Sequence, residues 1–318
     1  MPRRVGAHAA ISARLAQLQA PHHLTTRRPR IGLALGSGSA RGWAHVGVIR
    51  SLERAGISPD IVCGTSIGAL VGAAYAAGDI DRLETWVRGL TWQQVMGLVD
   101  FRMSGGLIRG TRLVEFFRSR FEDQGIEQLA KKFACVATEL TSGREVWLQT
   151  GSVVDAVRAS IAMPGLLAPV VHEERLLVDG GLVNPVPVSL CRALGADIVI
   201  GVDLNWDLIG RKSQAPEEVK TEGGPADNGI LEAIFAKFRG PRVLGGQNPS
   251  MLDVLATGLN IMQVRITRSR LAGEPADFLI QPRLSGIAAM DFHRGAVAAA
   301  EGERAAEQAL PLLRELLA

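Results

Sequence analysis

The chain has few of the residues that mark secreted, metal-binding or membrane-spanning proteins. Its three cysteines, Cys63, Cys135 and Cys191, are odd in number and show no C-x-x-C spacing, which favours reduced thiols in a cytosolic setting. No cluster of histidine, cysteine and carboxylate residues has metal-ligand spacing, so neither a metal nor another cofactor is predicted. The most apolar run, 61–77, is interrupted by glycine, serine and threonine, which argues against a transmembrane anchor.

Acidic residues are absent from the first 30 positions, where six arginines occur instead: Arg3, Arg4, Arg14, Arg27, Arg28 and Arg30. Without these six the chain has 29 basic against 32 acidic residues, so its basic character belongs to an N-terminal arm, 1–29, ahead of a folded domain at 30–318. Two interpretations of the arm stay open, a flexible basic segment and a cleaved organelle transit peptide. The arginines are not interleaved with aromatic residues, so we expect no specific nucleic-acid partner.

What is present indicates a globular α/β protein. Hydrophobic residues make up 47% of the chain and charged residues 21%. From position 31 the patterns alternate between buried strands (31–35, 60–63) and helices (41–55, 66–77), which is typical of βαβ units on a parallel sheet. Further strands are expected at 133–139 and 144–149, joined as a hairpin, and at 175–178 and 197–202, with a helical run at 291–317. The predicted fold is a three-layer α/β/α domain around a mainly parallel central sheet.

One segment interrupts this alternation. Residues 205–229 are rich in glycine, proline and charge, and we predict a mobile insertion there. After it, Ile230, Ile234 and Phe238 form one stripe of a short helix. Two interpretations stay open, a helix packed on its own domain and a lid or membrane-touching helix.

The pattern Gly64-Thr65-Ser66-Ile67-Gly68 lies where a buried strand gives way to a helix of small residues. In that context G-x-S-x-G predicts a nucleophile elbow, in which serine occupies a strained turn and the glycines let the chain reverse. Ser66 would then stand at a helix N-terminus, where backbone N–H groups favour developing negative charge.

A glycine-rich loop, 36–42, follows the first strand. In a dinucleotide fold it would hold a pyrophosphate, but the second strand closes on Cys63 and Gly64 without the acidic residue that binds ribose. In a parallel sheet the loops after neighbouring strands open onto the same edge. The favoured interpretation is therefore a loop beside Ser66 whose N–H groups form an oxyanion hole.

A hydrolytic serine needs a base, and two candidates are available. His293 occupies the late position that an α/β-hydrolase triad requires, whereas His45, in the first helix, is expected to be a packed residue. Asp179 follows a hydrophobic strand and precedes two glycines, so exposed backbone can present its carboxylate to a serine. Its plainer interpretation is a turn aspartate, since Asp-Gly is a common turn dipeptide.

Four ordered blocks together resemble a patatin-like phospholipase of the bacterial RssA-like branch. They are 36–48, the elbow at 64–68, Ser160-Ile161-Ala162-Met163-Pro164, and the run from Asp179-Gly180-Gly181 to Asn184-Pro185-Val186-Pro187. The resemblance covers about 31–202, and 291–294 suits the same branch.

The resemblance implies that Ser66 is the nucleophile and Asp179 the sole base of a Ser-Asp dyad. It assigns the oxyanion hole to the backbone of Ser37, Gly38 and Ser39, with Arg41 next to it. Many family members have an uninterrupted glycine run here. Serine is tolerable where φ stays negative, so we expect any position with positive φ to be Gly38. Arg41 is open to two interpretations, a partner for a phosphate group and an exposed structural residue.

The function expected from these residues is hydrolysis of carboxylic ester bonds in phospholipid or lysophospholipid, through an acyl-enzyme. The expected partner is therefore a lipid substrate, and the expected location is the cytoplasm, with peripheral contact to the inner membrane surface left open. The alternative is a membrane-associated regulatory or scaffold protein that keeps the fold with little turnover. Neither head group nor oligomeric state follows from the sequence.

Overall fold

The computed structural model describes residues 27–97, 112, 115, 118, 123–209 and 251–317. In these residues eight strands occur: β1 (Ile31–Leu35), β2 (Ile61–Thr65), β3 (Lys132–Glu139), β4 (Glu145–Leu148), β5 (Val170–His172), β6 (Arg175–Asp179), β7 (Ile198–Val202) and β8 (Phe278–Ile280). The helices are α1 (Ala44–Arg54), α2 (Ile67–Ala77), α3 (Ile80–Arg88), α4 (Trp92–Gly97), α5 (Val153–Ser160), α6 (Val188–Ala193), α7 (Met251–Gly273) and α8 (Gly295–Leu317).

The strands form one sheet in the order β5-β6-β3-β2-β1-β7-β8, with β4 also paired to β3. The central pairs β3-β2, β2-β1, β1-β7 and β7-β8 are parallel, while β4, β5 and β6 join antiparallel. The carboxyl ends of β1 and β2 therefore open onto one edge, and β6, running the opposite way along β3, brings its last residue, Asp179, opposite Ala137.

Helices cover both faces of the sheet. In β1, Leu33 and Leu35 belong to the larger apolar core, together with side chains of α1, α2 and α8, whereas Ala34 belongs to a second core with side chains of α6. All five residues of β1 are buried, as expected of a central parallel strand. The predicted three-layer α/β/α fold with a mainly parallel sheet is confirmed.

The predicted elements up to β7 are present, with ends that shift by a few residues. The hairpin is β3-β4, and the first predicted helix begins as a 3-10 turn, Ser39–Trp43, before α1. The sequence analysis did not predict α7, β5 or β8. The apolar residues of α7 are spread around the helix instead of forming one stripe, so its helical period is weak.

The structure describes contacts near two of the predicted boundaries. Residues 205–209, the start of the predicted insertion, are packed: Asn205 and Asp207 are buried, and Asn205 Nδ2 donates to the carbonyl oxygen of Ser37 at 3.1 Å. At the end of the predicted arm, Arg27 pairs with Asp197 at the surface. Residues 210–229 and the stripe at 230–238 lie outside the described residues. Within the described ranges, no helix is both long and apolar enough to cross a membrane.

Candidate active site

Ser66 occupies a sharp turn between β2 and α2. Its backbone has φ 56° and ψ −124°, a left-handed conformation that is strained for serine. The flanking glycines are required by close approach: a Cβ at Gly64 would collide with the backbone of Ala69, and one at Gly68 with the carbonyl oxygen of Leu35. The local geometry is that of a nucleophile elbow.

Asp179 is the last residue of β6, and its side chain contacts Ser66 in the turn after β2. Ser66 Oγ donates a hydrogen bond to Asp179 Oδ2 at 2.6 Å, and the N–H of Gly181 donates to Asp179 Oδ1 at 2.7 Å. The Asp179 side chain is buried, and this desolvation raises its pKa from 3.8 to about 6, against the lowering effect of the two hydrogen bonds. A carboxylate with that pKa is a better proton acceptor than an exposed one near neutral pH.

The glycine-rich loop runs from the end of β1 to the 3-10 turn. The N–H of Ser37 donates to the carbonyl oxygen of Pro185 at 2.8 Å, so it is already engaged. No acceptor for the N–H groups of Gly38 and Ser39 occurs in the part of the chain that the structure describes. Of the three predicted oxyanion donors, only Gly38 and Ser39 therefore have free donors in this conformation.

The positive φ in this loop falls on Ser39, with φ 54°, whereas Gly38 is extended with φ 170°. The expectation that any positive φ would be at Gly38 was wrong. The reason is a tertiary contact: Ser39 Oγ donates to the carbonyl oxygen of Ala289 at 2.5 Å, and the N–H of Ala40 donates to the same oxygen at 3.0 Å. These bonds hold Ser39 in a conformation that the serine alone would avoid.

Arg41 is buried, so its interpretation as an exposed structural residue was wrong. Its Nε donates to the carbonyl oxygen of Gly38 at 3.1 Å. Burial lowers the pKa of Arg41 to about 10, and the nearby carboxylates of Asp207 and Asp203 partly offset this. The guanidinium therefore stays charged at neutral pH and braces the loop from behind.

The two histidines have different positions. His45 is fully buried, and its Nε2 donates to the carbonyl oxygen of Gly36 at 2.8 Å. Burial lowers the pKa of His45 to about 4, so the ring is neutral, and its predicted packed position is confirmed. The His293 ring packs edge-on against Trp92, with centroids 5.5 Å apart. The side chain that accepts the hydrogen bond from Ser66 Oγ is that of Asp179.

One polar side chain near the dyad, that of Gln263, was not anticipated. Gln263 of α7 is buried, and its Nε2 lies 2.7 Å from the point that a Cβ of Gly181 would occupy. Ser37 Oγ lies 3.3 Å from the same point. No sequence signal could have found Gln263, because the helix that carries it has no clear apolar stripe. Among the described residues, no group of three or more histidine, cysteine or carboxylate side chains is arranged to hold a metal ion.

Comparison with known proteins identifies similar sequences and similar solved structures. Residues 33–192 match the family model described as patatin-like phospholipase. An uncharacterised NTE family protein of Mycobacterium tuberculosis is 32% identical over 329 residues, which cover 89% of this chain and 91% of that protein. A lysophospholipase of Emericella nidulans is 39% identical over 181 residues, which cover 55% of this chain and 12% of that protein.

One of the similar solved structures is the crystal structure of VipD from Legionella pneumophila. The superposition has a TM-score of 0.53 with 14% sequence identity, and covers 90% of this chain and 67% of that chain. At this identity the likeness concerns the fold.

Proposed function

The chain belongs to the patatin-like phospholipase family, and from that premise we propose that Ser66 and Asp179 form a catalytic dyad that hydrolyses carboxylic esters of lipids through an acyl-enzyme. The family makes the chain a lipid acyl hydrolase. The dyad, the acyl-enzyme and the choice between phospholipid and lysophospholipid are the proposal. The observation that carries it is the 2.6 Å hydrogen bond from Ser66 Oγ to the buried carboxylate of Asp179.

In the first step Ser66 Oγ attacks the ester carbonyl carbon and its proton passes to Asp179 Oδ2. The carbonyl π electrons move onto oxygen, and this oxyanion accepts hydrogen bonds in the loop. When the tetrahedral intermediate collapses, the C–O bond to the leaving alcohol breaks and Asp179 returns the proton to that alcohol. Water then attacks the acyl-enzyme with Asp179 as base, and the fatty acid leaves as Ser66 recovers its proton.

The oxyanion donors in this mechanism are the N–H groups of Gly38 and Ser39. A trans peptide points its C=O and N–H in opposite directions, so the bond from Arg41 Nε to the Gly38 carbonyl also fixes the direction of the Ser39 N–H. Each such donor contributes about 10²–10³ in kcat where it has been removed in other hydrolases. Fixing the donors before reaction is what gives them this effect.

Arg41 also has the charge to meet a phosphate group of the substrate, and this contact is part of the proposal. Arg41→Gln removes the side-chain hydrogen bond to the Gly38 carbonyl and leaves only the bond from the backbone N–H of residue 41, so kcat should fall for phosphorus-bearing and neutral esters alike. A phosphate contact would in addition raise KM for phospholipid substrates only. A KM that rises equally for both classes would limit Arg41 to supporting the loop.

The proposal is tested with a fluorophosphonate probe and a panel of lipid classes read by mass spectrometry. The intact chain should be labelled and should release fatty acid, and Ser66→Ala and Asp179→Asn should each lower turnover by on the order of 10⁴–10⁶-fold. The double variant should lose little more than the worse single variant, because the two groups act as one unit. A regulatory protein with little turnover would give neither labelling nor product.

The pH profile provides a second test of the same proposal. Because Asp179 must be ionised to accept the proton, kcat/KM should rise with pH along an acid limb centred on the pKa of about 6. The acid limb should fit the ionisation of a single group. A limb that moves only on replacing His293 would point to a histidine base instead.

A further inference from the structure

The segment from Ser160 to Ala162 belongs to a sequence block for which the mechanism above has no role. It begins at the last residue of α5, where Ser160 is completely buried. Ser160 Oγ accepts a hydrogen bond from the N–H of Ser66 at 2.9 Å and donates one to the carbonyl oxygen of Val136 at 2.6 Å. One hydroxyl therefore ties the nucleophile's own peptide to β3.

Two residues further on, the same segment holds the other member of the dyad. The carbonyl oxygen of Ala162 accepts a hydrogen bond from the N–H of Asp179 at 2.9 Å. Ser66 and Asp179 are 113 positions apart in sequence, and this short segment contacts the backbone of both. The relative position of nucleophile and base is thus set partly by a third element that contributes no reacting atom.

We propose that Ser160 is a positioning residue. By accepting a hydrogen bond from the N–H of Ser66, it holds Ser66 Oγ within hydrogen-bonding distance of Asp179. The inference rests on the proposed dyad. Ser66 lies in a left-handed conformation that serine disfavours, so the elbow needs hydrogen bonds from outside to remain there. The bond from Ser160 acts on the peptide N–H of the same residue whose Oγ must lie 2.6 Å from the carboxylate.

A purely stabilising role for Ser160 has different consequences from a positioning role. Ser160→Ala removes the buried hydrogen bonds to the N–H of Ser66 and the carbonyl of Val136, and both roles predict a lower unfolding temperature. Only the positioning role predicts slower chemistry in the molecules that remain folded. Misplacement of a reacting group by about 1 Å lowers rates by roughly 10²-fold.

For Ser160→Ala we therefore expect kcat per folded active site to fall by on the order of 10²-fold, with KM within about threefold because Ser160 is completely buried. The acid limb of kcat/KM should also move to higher pH. The hydrogen bond from Ser66 favours the ionised form of Asp179 and so lowers its pKa, and a displaced Ser66 would weaken that bond.

The experiment measures kcat, KM, pH profile and fluorophosphonate labelling rate on the full chain at a temperature well below the unfolding transition. Ser51→Ala is the matched control: Ser51 is equally buried on α1, and its Oγ bonds the carbonyl of Glu303, away from the dyad. It should lose stability and keep its kcat. Ser160→Cys keeps the side-chain size with a weaker donor and acceptor, and should give an intermediate kcat.

Wild-type kcat and an unmoved acid limb in a folded Ser160→Ala would overturn the positioning role. If Ser160→Ala does not fold, Ser160→Cys decides, and failure of both to fold assigns Ser160 to stability alone and also overturns the proposal. Ser66→Ala separates the two levels of inference. If it retains turnover, the dyad itself is wrong, whereas an inactive Ser66→Ala beside a fully active Ser160→Ala refutes only the role of Ser160.

Discussion

Asp179→Asn should stabilise the fold while it removes activity, because the carboxylate that the mechanism needs is costly to keep ionised in a buried site. Burial raises the pKa of Asp179 from 3.8 to about 6. At about 1.4 kcal/mol per pKa unit, this rise corresponds to roughly 3 kcal/mol of folding free energy. Asparagine fits the same place: its oxygen can accept from the Gly181 N–H and its amide can donate to Ser66 Oγ.

The sign of the pH dependence follows from the same shift. Below pH 3.8 the carboxyl group is protonated in both the folded and unfolded chains, so no penalty exists. As pH rises, the unfolded chain ionises first and the folded chain only near pH 6, so the stability of the unmodified protein falls across that window. Above it the full penalty remains. The advantage of Asp179→Asn should therefore be small at about pH 4 and reach roughly 3 kcal/mol at about pH 8.

The assay is urea unfolding of both proteins across this pH range, with the free energy of unfolding compared at each pH. Asp197→Asn serves as a control of opposite sign. The pKa of Asp197 is lowered by a hydrogen bond from the Arg30 N–H and by the charge of Arg27, so its replacement should destabilise at neutral pH. A difference between Asp179→Asn and the unmodified chain that is the same at both ends of the pH range would refute the reasoning, as would a less stable variant at high pH.

Three further expectations concern the loop, the second histidine and the membrane. In Gly38→Val a side chain would crowd Leu204, whose Cδ1 lies 2.9 Å from the Cβ position, so kcat should fall by about 10²–10³ with the fold retained; normal turnover in a steady-state assay would give the loop another task. His293→Ala removes a ring packed on Trp92 and should keep kcat within about tenfold, whereas a loss as large as that of Ser66→Ala in a folded variant would revive a histidine triad. Binding to anionic vesicles, measured by co-sedimentation, should weaken with salt and lose its salt-sensitive part on deletion of 1–29; a full-length chain that stays in the supernatant at low salt would end the membrane hypothesis.

The sequence by itself determined the features that depend on near neighbours in the chain. β1 and β2 were readable as short continuous apolar runs, and α1 as a helix with an apolar and a charged face. The small residues of α2, directly after the elbow, marked it as a buried helix. The elbow at Ser66 was equally local, since its glycines relieve contacts made within the same turn or with the adjacent strand end. The position of Asp179 after a strand was visible too, but its dipeptide also fitted an ordinary turn.

Only the tertiary structure decided how these local pieces act on one another. The bond between Ser66 and Asp179 depends on β6 running antiparallel to β3, and the raised pKa of Asp179 depends on what covers it. The left-handed backbone of Ser39 is held by the carbonyl of Ala289, 250 positions away, and no neighbour of Ser39 in sequence predicts it. A residue's conformation and proton affinity are set by whichever groups surround it in space, and for this site most of those groups come from distant parts of the chain.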